Sequence, residues 1–432
     1  METRSVLHSD LNNFYASVEC LYRPELREKP LAVCGDPSLR HGIVLAKNYS
    51  AKAAGIMTGE AIWQARLKCP DLVVLPPNFS LYLDFARLVR KIYADYASRI
   101  EPFGLDEAWL DVTGSRTLFG DGEAIANRIR ERIKTELGIT ASVGVSFNKV
   151  FAKLGSDMKK PDATTVISML NYKEKVWPLP VQELLYVGRA TRRKLNHKNI
   201  LTIGDLAQTD VRCLTGALGK WGAVLHDFAN GRDDSPVANF GEDSVIKSIG
   251  NSTTTPRDLV DEKDVRMVFY VLTESVAARL REHGFKCRTV QIHIRDNGLF
   301  SFERQGKLSR PTCISTEIAD RAAALFRENY TWEKPIRTLG IRGTDLVPWN
   351  ADAQTSLFVN EERRVKQEKL EETLDVLRRR YGYYCLQRAV LLEDKPLHIN
   401  PKEDHVIHPV GFFSQSLKVS DLSGNSDGKC CQ

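Results

Sequence analysis

No stretch of this 432-residue chain strings together the ~20 apolar residues that a membrane-spanning helix requires, so the expected setting is not a bilayer. Cysteine is sparse and dispersed, nine residues from Cys20 to Cys431 with no CxxC pair and no matching histidine spacing. That pattern excludes a disulfide framework or a zinc site as the organising device and points to a reducing compartment. The start, Met1-Glu-Thr-Arg4, leads straight into a core-like strand with no signal-peptide pattern, and the expected location is the cytoplasm. Neither sign of charge dominates: 61 Lys and Arg against 55 Asp and Glu leave a net +6. Locally the balance tips, because residues 244–347 hold 17 Lys and Arg against 13 Asp and Glu, a mild basic excess that fits contact with nucleic-acid backbone. What is present in quantity is ordinary: 42% hydrophobic and 27% charged residues make a globular protein, and the length implies two to four domains.

The chain is organised around Phe103-Gly-Leu-Asp-Glu-Ala-Trp-Leu-Asp111. Asp106 and Glu107 lie between two strand-like runs, 99–105 and 108–113. Neighbouring side chains of a regular strand point to opposite faces, so both acids share a ligand only at a bend, which Gly104 and the flanking strands supply as a hairpin. An Asp-Glu pair alone is usually a solvated turn. A third acid changes its meaning: Asp10 ends the apolar run 5–9 just before a helix start, where backbone amides can hold phosphate. Three carboxylates suit a hard cation such as Mg²⁺, which keeps waters and substrate phosphates as its other ligands. The chemistry indicated is phosphoryl transfer.

Helices are expected from Asn13, over 81–98 with Phe85, Leu88, Val89, Ile92, Tyr93 and Tyr96 at helical spacing, over 121–137 and over 148–158. Strands are expected at 30–34 and 140–146. The order strand, helix, strand, strand, helix, strand is ferredoxin-like, and in that sheet the first strand lies beside the hairpin. Lys149 and Lys153 share one side of the helix 148–158, and Lys160 follows as a phosphate partner. From Val181 onward short helical pieces joined by tight turns, 186–195 and 200–207, can present amides to DNA phosphates. A second α+β unit spans 244–347, with strands at 289–295 and 336–341 and helices at 264–283 and 316–328. Gln354-Thr-Ser-Leu-Phe358 and a charged helix 361–380 with a Glu362–Lys366 pair make up 348–395, and a polar, poorly ordered tail is expected over 396–432.

With Asp10-Leu-Asn-Asn-Phe-Tyr-Ala-Ser-Val-Glu19, Asn48-Tyr-Ser-Ala-Lys52, Leu105-Asp-Glu-Ala-Trp-Leu-Asp111 and Ser142-Val-Gly-Val-Ser-Phe-Asn-Lys-Val-Phe-Ala-Lys-Leu-Gly-Ser-Asp-Met-Lys-Lys-Pro161, the chain resembles the Y-family translesion DNA polymerases. The branch is that of the bacterial UmuC-like and polymerase IV enzymes, and Lys247-Ser-Ile-Gly-Asn-Ser-Thr-Thr-Thr-Pro256 is similar to the entry of their little finger. The resemblance implies an α+β, multidomain right-hand polymerase. Its palm is ferredoxin-like (1–20 and 76–165), followed in role by fingers (21–75), thumb (166–235) and little finger (244–347). It implies that Asp10, Asp106 and Glu107, with the Leu11 carbonyl, bind two Mg²⁺ ions. Asn13, Phe14 and Tyr15 would cradle the incoming triphosphate, Tyr49, Lys52 and Lys160 would reach its oxygens, and Tyr15 would be the steric gate against ribose. Implied partners are primer-template DNA, dNTPs, a replicative sliding clamp that takes Gln354, Leu357 and Phe358, and a recombinase filament or accessory subunit. Three departures stand out: Lys52 where Arg is usual, Ala46 where Ser or Thr is usual, and His197-Lys-Asn-Ile200 in place of a Gly-containing thumb turn.

Two rival readings use the same residues. A nucleotidyl cyclase shares the sheet and two metals but has no need of the basic second unit, and a DNA-binding accessory protein with a dead site has no need of three intact acids.

Overall fold

Val6–Leu11 forms strand β1, with every residue buried, as befits a strand in the middle of a sheet. In this computed structural model, which describes residues 4–37, 40, 42–239, 245–350, 361–394 and 397, β1 leads into helix α1 (Phe14–Tyr22). An insertion follows: β2 (Leu31–Cys34), β3 (Val44–Lys47), α2 (Tyr49–Ala53), α3 (Ile62–Lys68) and β4 (Val73–Leu75), with its own three-stranded sheet in the order β3-β2-β4. The main sheet resumes after α4 (Phe79–Ala94) with β5 (Arg99–Pro102), β6 (Glu107–Asp111), α5 (Arg116–Phe119), α6 (Gly122–Leu137), β7 (Ala141–Ser146), α7 (Lys149–Met158) and β8 (Thr164–Ile167). Its order is β5-β6-β1-β7-β8, antiparallel up to β7 and parallel between β7 and β8. The first four strands make the expected ferredoxin-like sheet, and β8 is an added strand that the sequence reading did not include.

Helix α4 begins and ends earlier than the expected 81–98, because the Asn78 side chain accepts the Leu81 N–H and caps its start. Its inner face is Tyr82, Phe85, Ala86, Val89, Ile92 and Tyr93, whereas Leu88, counted on that face in the sequence, is 42% exposed. Together with Leu7, Leu11, Ile100, Leu110, Ile125 and Ile129 these residues form the core of one face of the sheet. The strand at β5 stops at Pro102, not Leu105, and the 103–106 turn is closed by the Phe103 N–H donating to the Glu107 carbonyl.

Short helices follow: α8 (Tyr172–Val176), α9 (Arg189–Asn196), α10 (Ile203–Gln208), α11 (Val211–Leu218) and α12 (Lys220–Ala229), packed through Val176, Leu195, Ile203, Leu206, Leu214 and Leu225. The turn between α9 and α10 holds Asn199 at φ 58°, so asparagine there adopts the left-handed conformation that glycine more often supplies.

The chain divides into two compact units, the second comprising 36–42 and 244–407. That unit contains β9 (Ser248–Leu259), α13 (Glu262–Glu282), β10 (Phe285–Asp296), β11 (Ser301–Thr312), α14 (Ser315–Asn329), β12 (Ile336–Pro348) and α15 (Glu361–Tyr381), with sheet order β11-β10-β12-β9. Helices α13 and α14 cover the sheet through Phe269, Leu272, Val276, Ile318 and Phe326.

At the C-terminal end the charged helix α15 is tied into the second unit by buried ion pairs. The Arg281 guanidinium contacts Glu371 at 2.6 Å and Asp375 at 2.7 Å, with side chains 8%, 7% and 18% exposed. Glu371 also accepts the backbone N–H of Ser315 at 2.9 Å and its hydroxyl at 2.6 Å, so it caps α14 from a distance of 56 residues and meets the positive end of that helix. Beyond α15, Arg388 binds Glu274 at 2.7 Å, and Leu391 and Leu397 are buried in the core. The tail expected from 396 therefore still contributes Leu397 to the fold. Gln354, Leu357 and Phe358 lie outside the described residues, as do 398–432.

Candidate active site

The site is assembled by strand register. Asp10 faces Glu107 across the β1–β6 pair and Ser142 across β1–β7. Asp106 sits one residue before β6, in the turn, and so escapes strand alternation. Its carbonyl accepts the Leu11 N–H at 3.0 Å, which ties the turn to the end of β1. Arg90 of α4 donates to the Gly104 carbonyl at 2.9 Å, and the Tyr93 hydroxyl donates to Ser9 Oγ at 2.8 Å. Helix α4 therefore holds both the turn and β1 from behind.

Helix α7 closes the front, and glycine permits the approach. A Cβ on Gly144 of β7 would lie 2.0 Å from the Ala152 carbonyl oxygen and 2.5 Å from the Ser156 nitrogen, so the helix backbone rests directly on the strand. This contact delivers Lys153 to the acids. Its Nζ lies 2.8 Å from Glu107 Oε2, 3.4 Å from Asp10 Oδ2 and 3.1 Å from Asp157 Oδ2. Lys160 reaches Asp10 Oδ2 at 2.8 Å and Asp157 at 3.0 Å. Lys149, on the same side of the helix by sequence, is used elsewhere: it pairs with Glu101 at 2.7 Å and lies over the Trp109 ring.

The electrostatics follow from packing acids and lysines together. Burial, then the charges of Glu107 and Asp10, push the Asp106 carboxyl up to about 6. Burial also raises Asp10, with Lys160 opposing and Glu107 reinforcing the shift. For Glu107 burial acts upward too, but hydrogen bonding from His8 and the charge of Lys153 bring it down to about 2. Lys153 and Lys160 are desolvated, yet the acids hold both above the ordinary lysine range. Among the described residues no three or more His, Cys, Asp or Glu side chains are gathered as a ready-made metal cage. The donor set nevertheless fits a hard divalent cation: carboxylates that repel one another need more positive charge than two lysines supply, and such a cation takes its remaining ligands from water and phosphate.

Beside the acids, Asn13 adopts φ 49° and ψ 40° at the head of α1, which leaves the first-turn amides of Asn13, Phe14 and Tyr15 facing outward from the helix start. Asn12, which the sequence reading passed over, anchors this turn: its side-chain oxygen accepts from Thr140 Oγ1 at 3.1 Å and the Asp162 N–H at 2.9 Å, and its amide donates to Ser142 at 3.0 Å. The Tyr15 ring stacks on Tyr82 with centroids 4.3 Å apart and 10° between planes, and Phe79 meets it edge-on at 5.9 Å. Burial and the nearby Asp106 charge raise the Tyr15 hydroxyl to about 12. Tyr49 opens α2, where burial raises its hydroxyl, Lys160 opposes the shift and Asp10 adds to it. Lys52 is exposed, with Nζ 5.8 Å from the Tyr49 ring centroid. The structure thus gathers Asp10, Asp106, Glu107 and Lys160 tightly, sets Tyr15 and Tyr49 within their field, and leaves Lys52 on the rim. The sequence reading also missed Tyr82 and His8; the only available signal for His8 was its place two residues before Asp10, on the same strand face.

Comparison with known proteins adds the wider context. A family model described as the impB/mucB/samB family matches residues 9–157, and the model of that family's C-terminal domain matches 246–357. A DNA polymerase IV of Acetivibrio thermocellus is 57% identical over 395 residues, 91% of this chain and 99% of that protein. DNA polymerase IV of Moorella thermoacetica is 39% identical over 90% of this chain and 96% of its own length, and DNA polymerase IV 1 of Bacillus subtilis 37% over 91% and 94%. Among solved structures, a Y-family DNA polymerase chimera of Dbh and Dpo4 superposes with a TM-score of 0.70 at 24% identity, covering 80% of this chain and 99% of that one.

Proposed function

The chain belongs to the impB/mucB/samB family, the Y-family DNA polymerases, and from that premise we propose that Asp10, Asp106 and Glu107 are the working acids of its template-directed DNA synthesis across damaged template. The observation that carries this reading is the cross-strand pairing of Asp10 with Glu107, bridged by Lys153, beside the turn that bears Asp106. The substrates are primer-template DNA and deoxynucleoside triphosphates, and the reaction depends on a divalent metal.

In this reading the acids, with the Leu11 carbonyl, hold two Mg²⁺ ions. When bound, these ions lower the cost of ionising the primer 3′-hydroxyl and of the charge that develops on the departing pyrophosphate. The chain's own groups do the rest. First-turn amides of Asn13, Phe14 and Tyr15 receive phosphate oxygens at the positive end of α1. Lys160, already on the acid side of the cleft, and Tyr49 reach the same triphosphate, with Lys52 as a point charge from the rim. The Tyr15 ring, immobilised between Tyr82 and Phe79, occupies space that a ribose 2′-hydroxyl would need. The short helices α9 and α10 serve as the thumb and the second unit as the little finger, gripping the duplex mainly through phosphate contacts. A replicative sliding clamp engages Gln354, Leu357 and Phe358, raising local concentration at the primer end by linkage, and a recombinase filament or accessory subunit is a further partner.

Single-nucleotide primer extension opposite an abasic site, with Mg²⁺ and then with a chelator, tests the function. Insertion that requires the metal is expected. Extension on intact template with none opposite the lesion would refute the lesion-copying role.

A further inference from the structure

We infer that Tyr82 and Glu19 are positioning residues for sugar selection: together they fix the depth at which the Tyr15 ring stands against the sugar of the incoming nucleotide. The inference rests on the reading of Tyr15 as the steric gate.

Tyr15 and Glu19 lie one turn apart on α1, so both side chains leave the same face of that helix. Helix α4 meets this face with Phe79 and Tyr82. Tyr82 is fully buried, and its ring lies flat against Tyr15 with centroids 4.3 Å apart and 10° between planes. Phe79 meets both tyrosine rings edge-on, 5.9 Å from each. Phe14 leans on Tyr15 at 5.6 Å and on Tyr82 at 6.1 Å. The Tyr82 hydroxyl donates to Glu19 Oε1 at 2.7 Å. Glu19 is itself only 4% exposed, and its second oxygen takes the guanidinium of Arg23, one turn further along the chain. This buried carboxylate belongs to neither the metal site nor the phosphate cradle, so its burial calls for another role.

Stacking alone would not hold the gate still. Parallel aromatic rings attract one another over a range of offsets, so Tyr15 could slide across a loose Tyr82 when a 2′-hydroxyl pressed on it. The hydrogen bond to Glu19 removes that freedom. A carboxylate acceptor makes the bond charge-assisted, roughly twice as strong as a neutral one, and Arg23 keeps the carboxylate from turning away. Because Glu19 rides on the same helix as Tyr15, the backing ring is tied to the backbone that carries the gate. Tyr15, α1, Glu19 and Tyr82 thus form a closed loop of contacts. Close-packed interiors transmit strain instead of yielding to it. A ring held in this way excludes a ribose by overlap, whereas a ring free to retreat slightly would admit it more often.

The test is single-nucleotide insertion by the full chain on primer-template DNA with Mg²⁺, read as the ratio of kcat/KM for a deoxynucleoside triphosphate to that for the matching ribonucleoside triphosphate. Both values come from one preparation, so the ratio does not move when a substitution merely lowers the folded fraction. Tyr82→Phe keeps the ring and loses the hydroxyl, and the ratio should fall about tenfold, equivalent to about 1.4 kcal/mol of transition-state discrimination. Glu19→Gln leaves Tyr82 a neutral acceptor and should give a smaller fall. In a Tyr15→Ala background Tyr82→Phe should change the ratio no further, because the ring it positions is gone. An unchanged ratio in Tyr82→Phe, or an equal fall with and without the Tyr15 ring, overturns the role of the pair. Tyr15→Ala measured alongside separates the two readings. If it lowers the ratio while Tyr82→Phe does not, only the positioning role fails; if it leaves the ratio unchanged, the gate reading fails and the positioning role with it.

Discussion

Asp106→Asn should make the metal-free protein more stable while abolishing its activity. Asp106 is held up to about 6 by burial and by Glu107 and Asp10, against 3.8 for the ordinary side chain. Between those two values the folded protein keeps a proton that the unfolded chain has released, so stability is lost as pH rises from about 4 through about 6. At about 1.4 kcal/mol per unit this amounts to about 3 kcal/mol at pH 7.5, and partial solvent access to the side chain trims it to about 1–3 kcal/mol. Asparagine keeps the shape and cannot ionise. The variant's advantage should therefore be absent near pH 4 and complete by pH 7, a gain on the order of 2–4 °C in melting temperature per kcal/mol for a unit of this size. Thermal melts of both proteins in chelator, from pH 4 to 8, are the assay. An advantage that does not change with pH, or a variant less stable than its parent at pH 7.5, would refute the repulsion argument.

Other consequences can be checked separately. Tyr15→Ala removes the ring stacked on Tyr82 and should raise ribonucleotide insertion relative to deoxyribonucleotide; a fall in thermal stability with an unchanged sugar ratio would reduce Tyr15 to a core residue. Arg281→Ala strands the buried carboxylates of Glu371 and Asp375 and should cost about 3–5 kcal/mol, read as a large fall in melting temperature, whereas an unchanged melt would mean that α15 is not integral to the second unit. Replacing Leu357 and Phe358 by Ala should leave unassisted extension intact and abolish stimulation by the clamp, and undiminished stimulation would rule out that tether.

The parts of this molecule that were legible in the sequence are those governed by local pattern. Period-two and helical spacing located β1, α6, β7 and α7 within a residue or two, and the strand order then placed Asp10 beside Glu107. Boundaries set by single side chains were misread: Pro102 ends β5 and Asn78 starts α4, effects of one missing donor and one cap. Long-range polar partnerships were invisible. Nothing in the highly charged run of α15 marks Glu371 as the cap of α14, because that role depends on a contact 56 residues away. His8 and Asn12 escaped notice for the same reason, since their partners are supplied by α7 and by the 140–162 segment. Lys153 was seen on the correct side of its helix, but its reach to the acids depends on the glycine contact at Gly144, which no periodicity reveals.

Single-turnover nucleotide addition by Glu107→Gln in Mg²⁺, paired with the dissociation constant for primer-template DNA, tests whether these acids carry the chemistry. If duplex binding rests mainly on backbone electrostatics outside the acid cleft, addition should fall by about 1,000-fold or more, the loss of roughly 4 kcal/mol of transition-state stabilisation, with DNA affinity nearly unchanged. Addition by the variant within tenfold of the parent rate would contradict this expectation.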